Sequence, residues 1–183
     1  AFNLPYDDRG DRFRDSFDYI QRMWEESPAF GNSYGSPGGG MGMLPKPVAG
    51  KLPLLITGGS QQDPDWIARN GDGWITYPRS TDVQAGIISD WRLRVEAAGG
   101  PAKPVMQSLY VDLAEEPRTP PQPIHLGFRS GANHLRAHLK SLEKIGVNHV
   151  ALNLRFNQAD AEETLTRLAD DILSDFPGED NIE

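Results

Sequence analysis

From Leu52 onward the chain repeats one pattern four times: a short apolar run, a turn of small or polar residues, then apolar residues recurring every three or four positions. A short apolar run between turn signals reads as a buried strand, and a 3.6-residue period reads as a helix with one buried stripe. Strands that alternate with helices specify a parallel sheet, because a strand returns parallel to its predecessor only through a crossover. The first strand runs from Pro53 to Thr57 and its helix opens at Asp63, a good N-cap, with Pro64 at the first helical position. Asn70-Gly71-Asp72-Gly73 ends that helix and leads into Trp74 to Tyr77; the next helix, Asp82 to Ala98, stops at Gly99-Gly100. The third unit is a strand from Pro104 to Leu113 and a helix from Ser130 to Ile145. The fourth is a strand from Val147 to Leu154 and a helix from Asp160 to Phe176. The periodicity predicts buried stripes of Val83, Ile87, Trp91 and Val95, then Leu135, Leu139 and Leu142, then Leu165, Leu168, Ile172 and Phe176.

Upstream, Asp11 to Glu26 reads as a helix with Phe13, Phe17, Ile20 and Trp24 on one stripe, ended by Ser27-Pro28. Phe30 to Lys51 is rich in Gly and Pro, so it cannot hold a helix, and its few large apolar residues cannot form a core. The expected organisation is one partial domain: a helix at 11–26, a surface excursion at 27–52, four βα units at 53–176 and a tail at 177–183.

Composition excludes several function classes. A net charge of −8 with no basic run disfavours nucleic acid, whose affinity for proteins rests largely on phosphate neutralisation. No stretch approaches the ~18 apolar residues of a membrane span, and the start has neither cationic region nor apolar signal core, so a cytoplasmic location is expected. The lack of Met at position 1 predicts a processed or truncated start. Without cysteine, disulfides, thiolate catalysis and Cys-ligated zinc are out. The 183 residues suffice for one domain but fall short of the ~250 of a complete (β/α)8 barrel.

Three segments resemble the bacterial-luciferase-like monooxygenases. Asp8-Arg9-Gly10-Asp11-Arg12-Phe13 through Trp24 is similar to that family's helix after its fourth strand, with Arg9, Asp15 and Trp24 at matching places. Leu54-Leu55-Ile56-Thr57-Gly58-Gly59-Ser60, continuing from Trp66 to Trp74, resembles its fifth strand, phosphate turn and lead into strand six. Gly146 to Leu154 resembles strand eight, and Pro123 to Gly131 points to a subgroup described as luciferase-type oxidoreductases. The resemblance implies the C-terminal half of a parallel (β/α)8 TIM-type barrel, with strands one to four not in this sequence. It implies a flavin-dependent oxidoreductase or monooxygenase using FMN or a deazaflavin on a small organic substrate, some relatives being served by a separate flavin reductase. The same half alone would be an incomplete fragment or a subunit needing another chain, prone to oligomerise through its open barrel face. A doubly wound phosphate-binding domain is the remaining alternative, weakened by the lack of a Gly-x-Gly-x-x-Gly fingerprint after any strand.

Candidate site residues follow from position on the rim at the strand C-termini, where barrel active sites lie. Gly58, Gly59, Ser60 and Gln61 join a strand to a helix, where free N–H groups suit a phosphate; by resemblance this turn grips the flavin phosphate, and otherwise it is an ordinary small-residue turn. Tyr77 and Arg79 follow the next strand, and Arg79 is either an anion-binding fork or a solvated arginine. The segment from Glu115 to Phe128 contains four prolines and reads as a long loop of the kind that forms lids. At its end Arg129 and Ser130 offer a second anion-binding geometry, and His125 is a candidate acid or base near the flavin or else a surface histidine. His134 and His138 are spaced i, i+4 without an intervening Glu, so they are expected on a helix exterior, with His149 in or beside a strand and no metal bound. Gln107, Asp112, Asn153 and Arg155 are polar groups on expected strands, facing either a ligand or a neighbouring helix.

Overall fold

A computed structural model of the chain describes residues 5–177. Helix α1 spans Arg9–Arg22; then follow β1 (Leu55–Thr57), α2 (Pro64–Asn70), β2 (Gly73–Thr76), α3 (Thr81–Ala97), β3 (Val105–Leu113), β4 (Gln122–Ile124), β5 (Gly127–Ser130), α4 (Ala132–Lys144), β6 (His149–Asn153), α5 (Ala161–Asp171) and a 3-10 turn at Leu173–Asp175. All four predicted βα units are present. Asp63 caps α2 by accepting the Trp66 N–H at 2.7 Å, and Asp160 caps α5 in the same way at Glu162 and Glu163. At the other end of α2, Lys103 Nζ donates to the carbonyls of Ala68 and Gly71, satisfying acceptors that the helix leaves open.

The strands β1, β2, β3 and β6 are parallel and neighbour one another in sequence order. Among the described residues these strands have no reversal point, which removes the doubly wound alternative and leaves the strand order of a barrel segment. Alternation then sorts the two faces. Trp74 stacks on Trp91 of α3 with ring centroids 5.4 Å apart, Gln84 of α3 bonds Gln107, and Val150 and Leu152 pack into the core beneath α4 and α5. Every helix of the four units therefore lies on one face. The other face, which in a closed barrel is the interior, carries the row Thr57, Ile75, Met106 and His149 and, nearer the rim, Ser108, Ala151, Tyr110 and Asn153. Among the described residues no helix covers it, and these residues are exposed or half-buried.

Several expectations need correction. The segment expected to be a lid loop is closed by the antiparallel pair β4–β5, and β5 extends β3 in parallel from Tyr110–Gly127 to Leu113–Ser130. Four prolines conceal this hairpin in the sequence, because Pro is a poor strand residue except at an edge, which β4 is. Helix α1 ends at Arg22, short of the expected Glu26, and its Ile20 is exposed. In α3 the polar Gln84 is buried where Val83 was expected; Val83 is exposed because Gln84 finds an amide partner on β3. The last helix breaks at Ile172, and Thr164 is buried while Leu165 is exposed. The threonine hydroxyl is satisfied within its own turn by the Asp160 carbonyl and Asn157, so its burial costs little. The excursion is irregular, as expected, and rests on α1: Asn32 donates to the Asp15 carbonyl, and Lys46 to those of Met23 and Glu25. Most of the expected tail lies outside the described residues.

The hairpin depends on a glycine. A Cβ on Gly127 would overlap the Tyr110 carbonyl, which lies against it in the β3–β5 pair. Gly127→Ala is therefore expected to lower stability by about 3 kcal/mol, a fall of about 6–12 °C in Tm by thermal unfolding. Gly86 of α3 has open space where its Cβ would be. Gly86→Ala is expected to be neutral or to stabilise by about 0.5–1 kcal/mol.

Candidate functional site

The turn after β1 is built from unusual backbone. Gly58 (φ 57°), Ser60 (φ 45°) and Gln61 (φ 58°) are all left-handed. For Ser60 and Gln61 that conformation carries strain of about 1 kcal/mol or more each, which the surroundings must hold in place. Gly58 N–H donates to the Ile75 carbonyl at 2.8 Å and Trp74 Nε1–H to the Gly58 carbonyl at 2.8 Å, locking the turn to β2. The Ser60 hydroxyl donates to the Thr57 carbonyl, and Gln62 N–H to the Gly59 carbonyl. Among the described residues the N–H groups of Gly59, Ser60 and Gln61 have no acceptor. Three successive unpartnered amides make a concavity suited to an anion. The α2 N-terminus itself is already occupied by the Asp63 carboxylate, so any anion would be held by the turn.

Two arginines without carboxylate partners among the described residues stand beside this turn. Arg9, at the start of α1, donates to Gln61 Oε1 at 2.9 Å. Arg79 donates to Thr76 Oγ1 at 2.9 Å and the Tyr77 carbonyl at 3.0 Å. Behind the turn, on the helix face, lies a cavity of about 550 Å³ between α2 and α3, lined by Gly58, Gly59, Tyr77 and Arg79 together with Trp74 and Trp91. The structure thus gathers four of the eight expected cofactor-binding residues around one cavity and places Ser60 and Gln61 in the turn beside it.

Arg129 and Ser130 lie elsewhere. Arg129 Nη1 pairs with Asp112 Oδ2 at 2.7 Å, and Asp112 is 2% exposed, its second oxygen accepting the Gln158 N–H. A guanidinium neutralised by a buried carboxylate is poorly available to a ligand. Ser130 is fully buried with its hydroxyl on the Gly131 carbonyl. Gln107 faces the helices, so of the four strand polar groups only Asn153 and Arg155 remain at the rim of the uncovered face.

His125 occupies the β4–β5 turn on that same rim. Its ring is 5.9 Å from Tyr110 and 6.2 Å from Phe156, and those two rings are 5.2 Å apart. Asn153 pairs in register with Tyr110, and the Arg155 guanidinium lies 5.8 Å from the Phe156 ring. The group stands two strands across the sheet from the turn after β1. The nearness of Tyr110 and Phe156 to His125 was not legible in the sequence: an aromatic in a strand or a loop signals packing, and only the pairing of β3 with β6 and β5 brings these rings together.

His134 and His138 are not on a bare helix exterior. Both pack edge-on against Phe128 of β5, with centroids 5.0 and 5.1 Å away, and they stack on each other at 6.5 Å. His149 is exposed at the start of β6. Among the described residues no group of three or more His, Asp or Glu is placed to hold a metal ion, and no helix is long and apolar enough to cross a membrane.

Two measurements separate structural from ligand-binding groups here. Arg129→Ala leaves the Asp112 carboxylate buried without its cation, which is expected to cost about 3 kcal/mol in thermal or denaturant unfolding. Burial holds the His138 imidazole below its ordinary value of 6.5, and the charge of His134 lowers it further. The folded state then binds fewer protons than the unfolded one as pH falls below 6.5. His138 stabilisation is complete above that value and declines as pH drops toward the depressed folded value. Urea unfolding between pH 7.5 and 5 is expected to show this slope, and His138→Leu to flatten it.

Comparison with known proteins agrees with this architecture. The luciferase-like monooxygenase family matches residues 1–117, well over half of the 183-residue chain. An uncharacterized protein of Mycobacterium bovis, Mb0978c, is 31% identical over 81 residues, covering 44% of this chain and 29% of its own length. Among solved structures, the monooxygenase RslO1 from Streptomyces bottropensis superposes with a TM-score of 0.76 at 17% identity, over 97% of this chain and 64% of its own. A coenzyme F420 dependent tetrahydromethanopterin reductase from Methanopyrus kandleri gives 0.71 at 10% identity, over 92% and 64%. The chain therefore spans less than two thirds of these relatives, and what they share with it at such identity is the fold. With the family match, the ordered parallel strands and the uncovered inner face, the chain belongs to the luciferase-like monooxygenase family as one half of its (β/α)8 barrel.

Proposed function

We propose that the full-length protein is a flavin-dependent oxidoreductase, a monooxygenase in kind, and that this half of the barrel holds the phosphate end of FMN or of a deazaflavin. The observation that carries the reading is the turn after β1, where Gly59, Ser60 and Gln61 present three unpartnered amides near Arg9 and Arg79, neither of which has a carboxylate partner among the described residues. A phosphate fits it: successive amides and a guanidinium fork supply donors and positive charge, and Gly59 has no neighbour within 4 Å of the place a Cβ would take. The flavin, when bound, supplies the redox chemistry, while the protein binds it, orients it and limits water. Tyr77 would wall the turn, since its ring lies 3.3 Å from where a Gly58 Cβ would be. His125, held between Tyr110 and Phe156 on the same rim, is the candidate to accept or donate a proton to a small organic substrate.

A second reading is favoured by the uncovered sheet face. Among the described residues β1 pairs only with β2, and β6 only with β3, so both outer edges are open. An open edge and a bare inner face invite association. This half by itself is then an incomplete unit that needs the other half of a barrel, from its own gene product or from another chain, before it turns over substrate. Sedimentation of the 183-residue chain showing a well-behaved monomer would count against that reading.

The flavin reading is tested by titrating the full-length protein into FMN and, separately, into coenzyme F420. Saturable fluorescence quenching with one of them is expected, and its absence with both sinks the proposal. Ser60→Pro removes one amide and fixes φ near −65° where the turn has 45°, and is expected to weaken cofactor binding about tenfold or more. Ser60→Ala is expected to change it little, because the hydroxyl is already engaged by Thr57.

A further inference from the structure

Eight of the first eighteen residues are arginine or aspartate, and two of the three arginines are paired with an aspartate. Arg12 is neutralised by Asp8, and Arg14 by Asp11 at 2.8 Å. Arg9 is the exception. Its guanidinium donates to two neutral acceptors, the Tyr6 carbonyl at 2.8 Å and Gln61 Oε1 at 2.9 Å, and lies 3.6 Å from the Tyr6 ring centroid. A guanidinium has five N–H donors, so after these contacts it still has donors, and among the described residues no carboxylate compensates its charge. It is also joined to the side chain of a residue whose own backbone N–H lacks an acceptor.

We infer that Arg9 is the residue that neutralises the cofactor phosphate at the turn after β1. The inference rests on the flavin reading above and deepens it. Helix α1 is fixed to this turn independently of Arg9: Gln62 Nε2 donates to the Gly10 carbonyl at 2.8 Å and the Ser60 carbonyl at 3.1 Å, and a Cβ on Gly10 would lie 3.2 Å from the Gln61 carbonyl. These contacts hold the helix against the turn, so the guanidinium stands beside it before any ligand arrives, and preorganised charge is more effective than charge that must be gathered. Arg79 is placed differently. It is tied to the end of β2 through Thr76 and Tyr77 and has no bond to the turn. Ser60, though in the turn, offers only its amide.

FMN and riboflavin share the isoalloxazine ring and differ in the phosphate, so their affinity ratio isolates the phosphate site. The experiment measures both dissociation constants by fluorescence quenching for the full-length wild type, Arg9→Ala, Arg9→Lys and Arg79→Ala. If the wild type takes only a deazaflavin, F420 and its phosphate-free chromophore replace the pair. The wild type is expected to prefer the phosphorylated form. Arg9→Ala is expected to weaken that form about tenfold or more while leaving the phosphate-free form within about twofold, and Arg9→Lys to fall between. Because Gln62 holds α1 in place, these variants are expected to keep the wild-type Tm within a few degrees. Equal weakening of both forms, no weakening of either, or loss of the preference in Arg79→Ala alone would overturn the inference while leaving flavin binding intact. A wild type that binds flavin without preferring the phosphate also overturns it. A wild type that binds neither FMN nor F420 removes the flavin reading itself, and this inference with it.

Discussion

Strand β3 organises the molecule because it is the one strand long enough to be shared. Its even-numbered backbone groups face β2 at the start and β5 at the end: Trp74 N–H bonds the Pro104 carbonyl, and Tyr110 and Ala114 donate to Leu126 and Ser130. Its odd-numbered groups face β6, where Asn148 N–H bonds the Val105 carbonyl. Nine residues thus hold three strands, and the same alternation sends Val105, Gln107, Leu109, Val111 and Leu113 under the helices. What remains on the opposite face is decided by subtraction. Met106, Ser108 and Tyr110 point away from the core because their neighbours had to enter it.

That constraint also determines where chemistry can occur. The turn after β1 and the aromatic group around His125 lie on one rim, since every parallel strand delivers its following segment at the same end. The rim is not uniform. At β1 it offers amides and guanidinium charge that has no carboxylate partner among the described residues, which suits an anion. At β3 and β6 it offers rings, an imidazole and an amide, with Arg155 near Phe156. Between them Asp112 and Arg129 spend their charges on each other, and that pair ties the hairpin bearing His125 to β3. The imidazoles of His134 and His138 on Phe128 clamp the same hairpin from its helix side.

Much of the fold was legible in order and little of the rim in detail. The four βα units, the Asp63 cap with Pro64, and the Leu135, Leu139 and Leu142 stripe follow from local spacing, which depends only on residues near one another in the chain. The α3 stripe was misread because periodicity assigns burial by hydrophobicity, whereas Gln84 is buried for the sake of an amide on β3, twenty-three positions away. The hairpin at β4–β5 was missed because its strands are short and its stability comes from β3 rather than from its own residues. Arg9 stood out by resemblance at the helix start, yet nothing local links it to Gln61, fifty-two positions later.

The sequence by itself determined the alternating strands and helices, the parallel sheet they require and the small-residue turn after β1, because periodicity, caps and glycines act over a few residues. Only the tertiary structure decided which face of the sheet is bare, which arginines pair with a carboxylate among the described residues and which rings stand near His125. Those outcomes depend on the register between strands distant in sequence, and a side chain's charge or proton affinity is set by what that register places beside it.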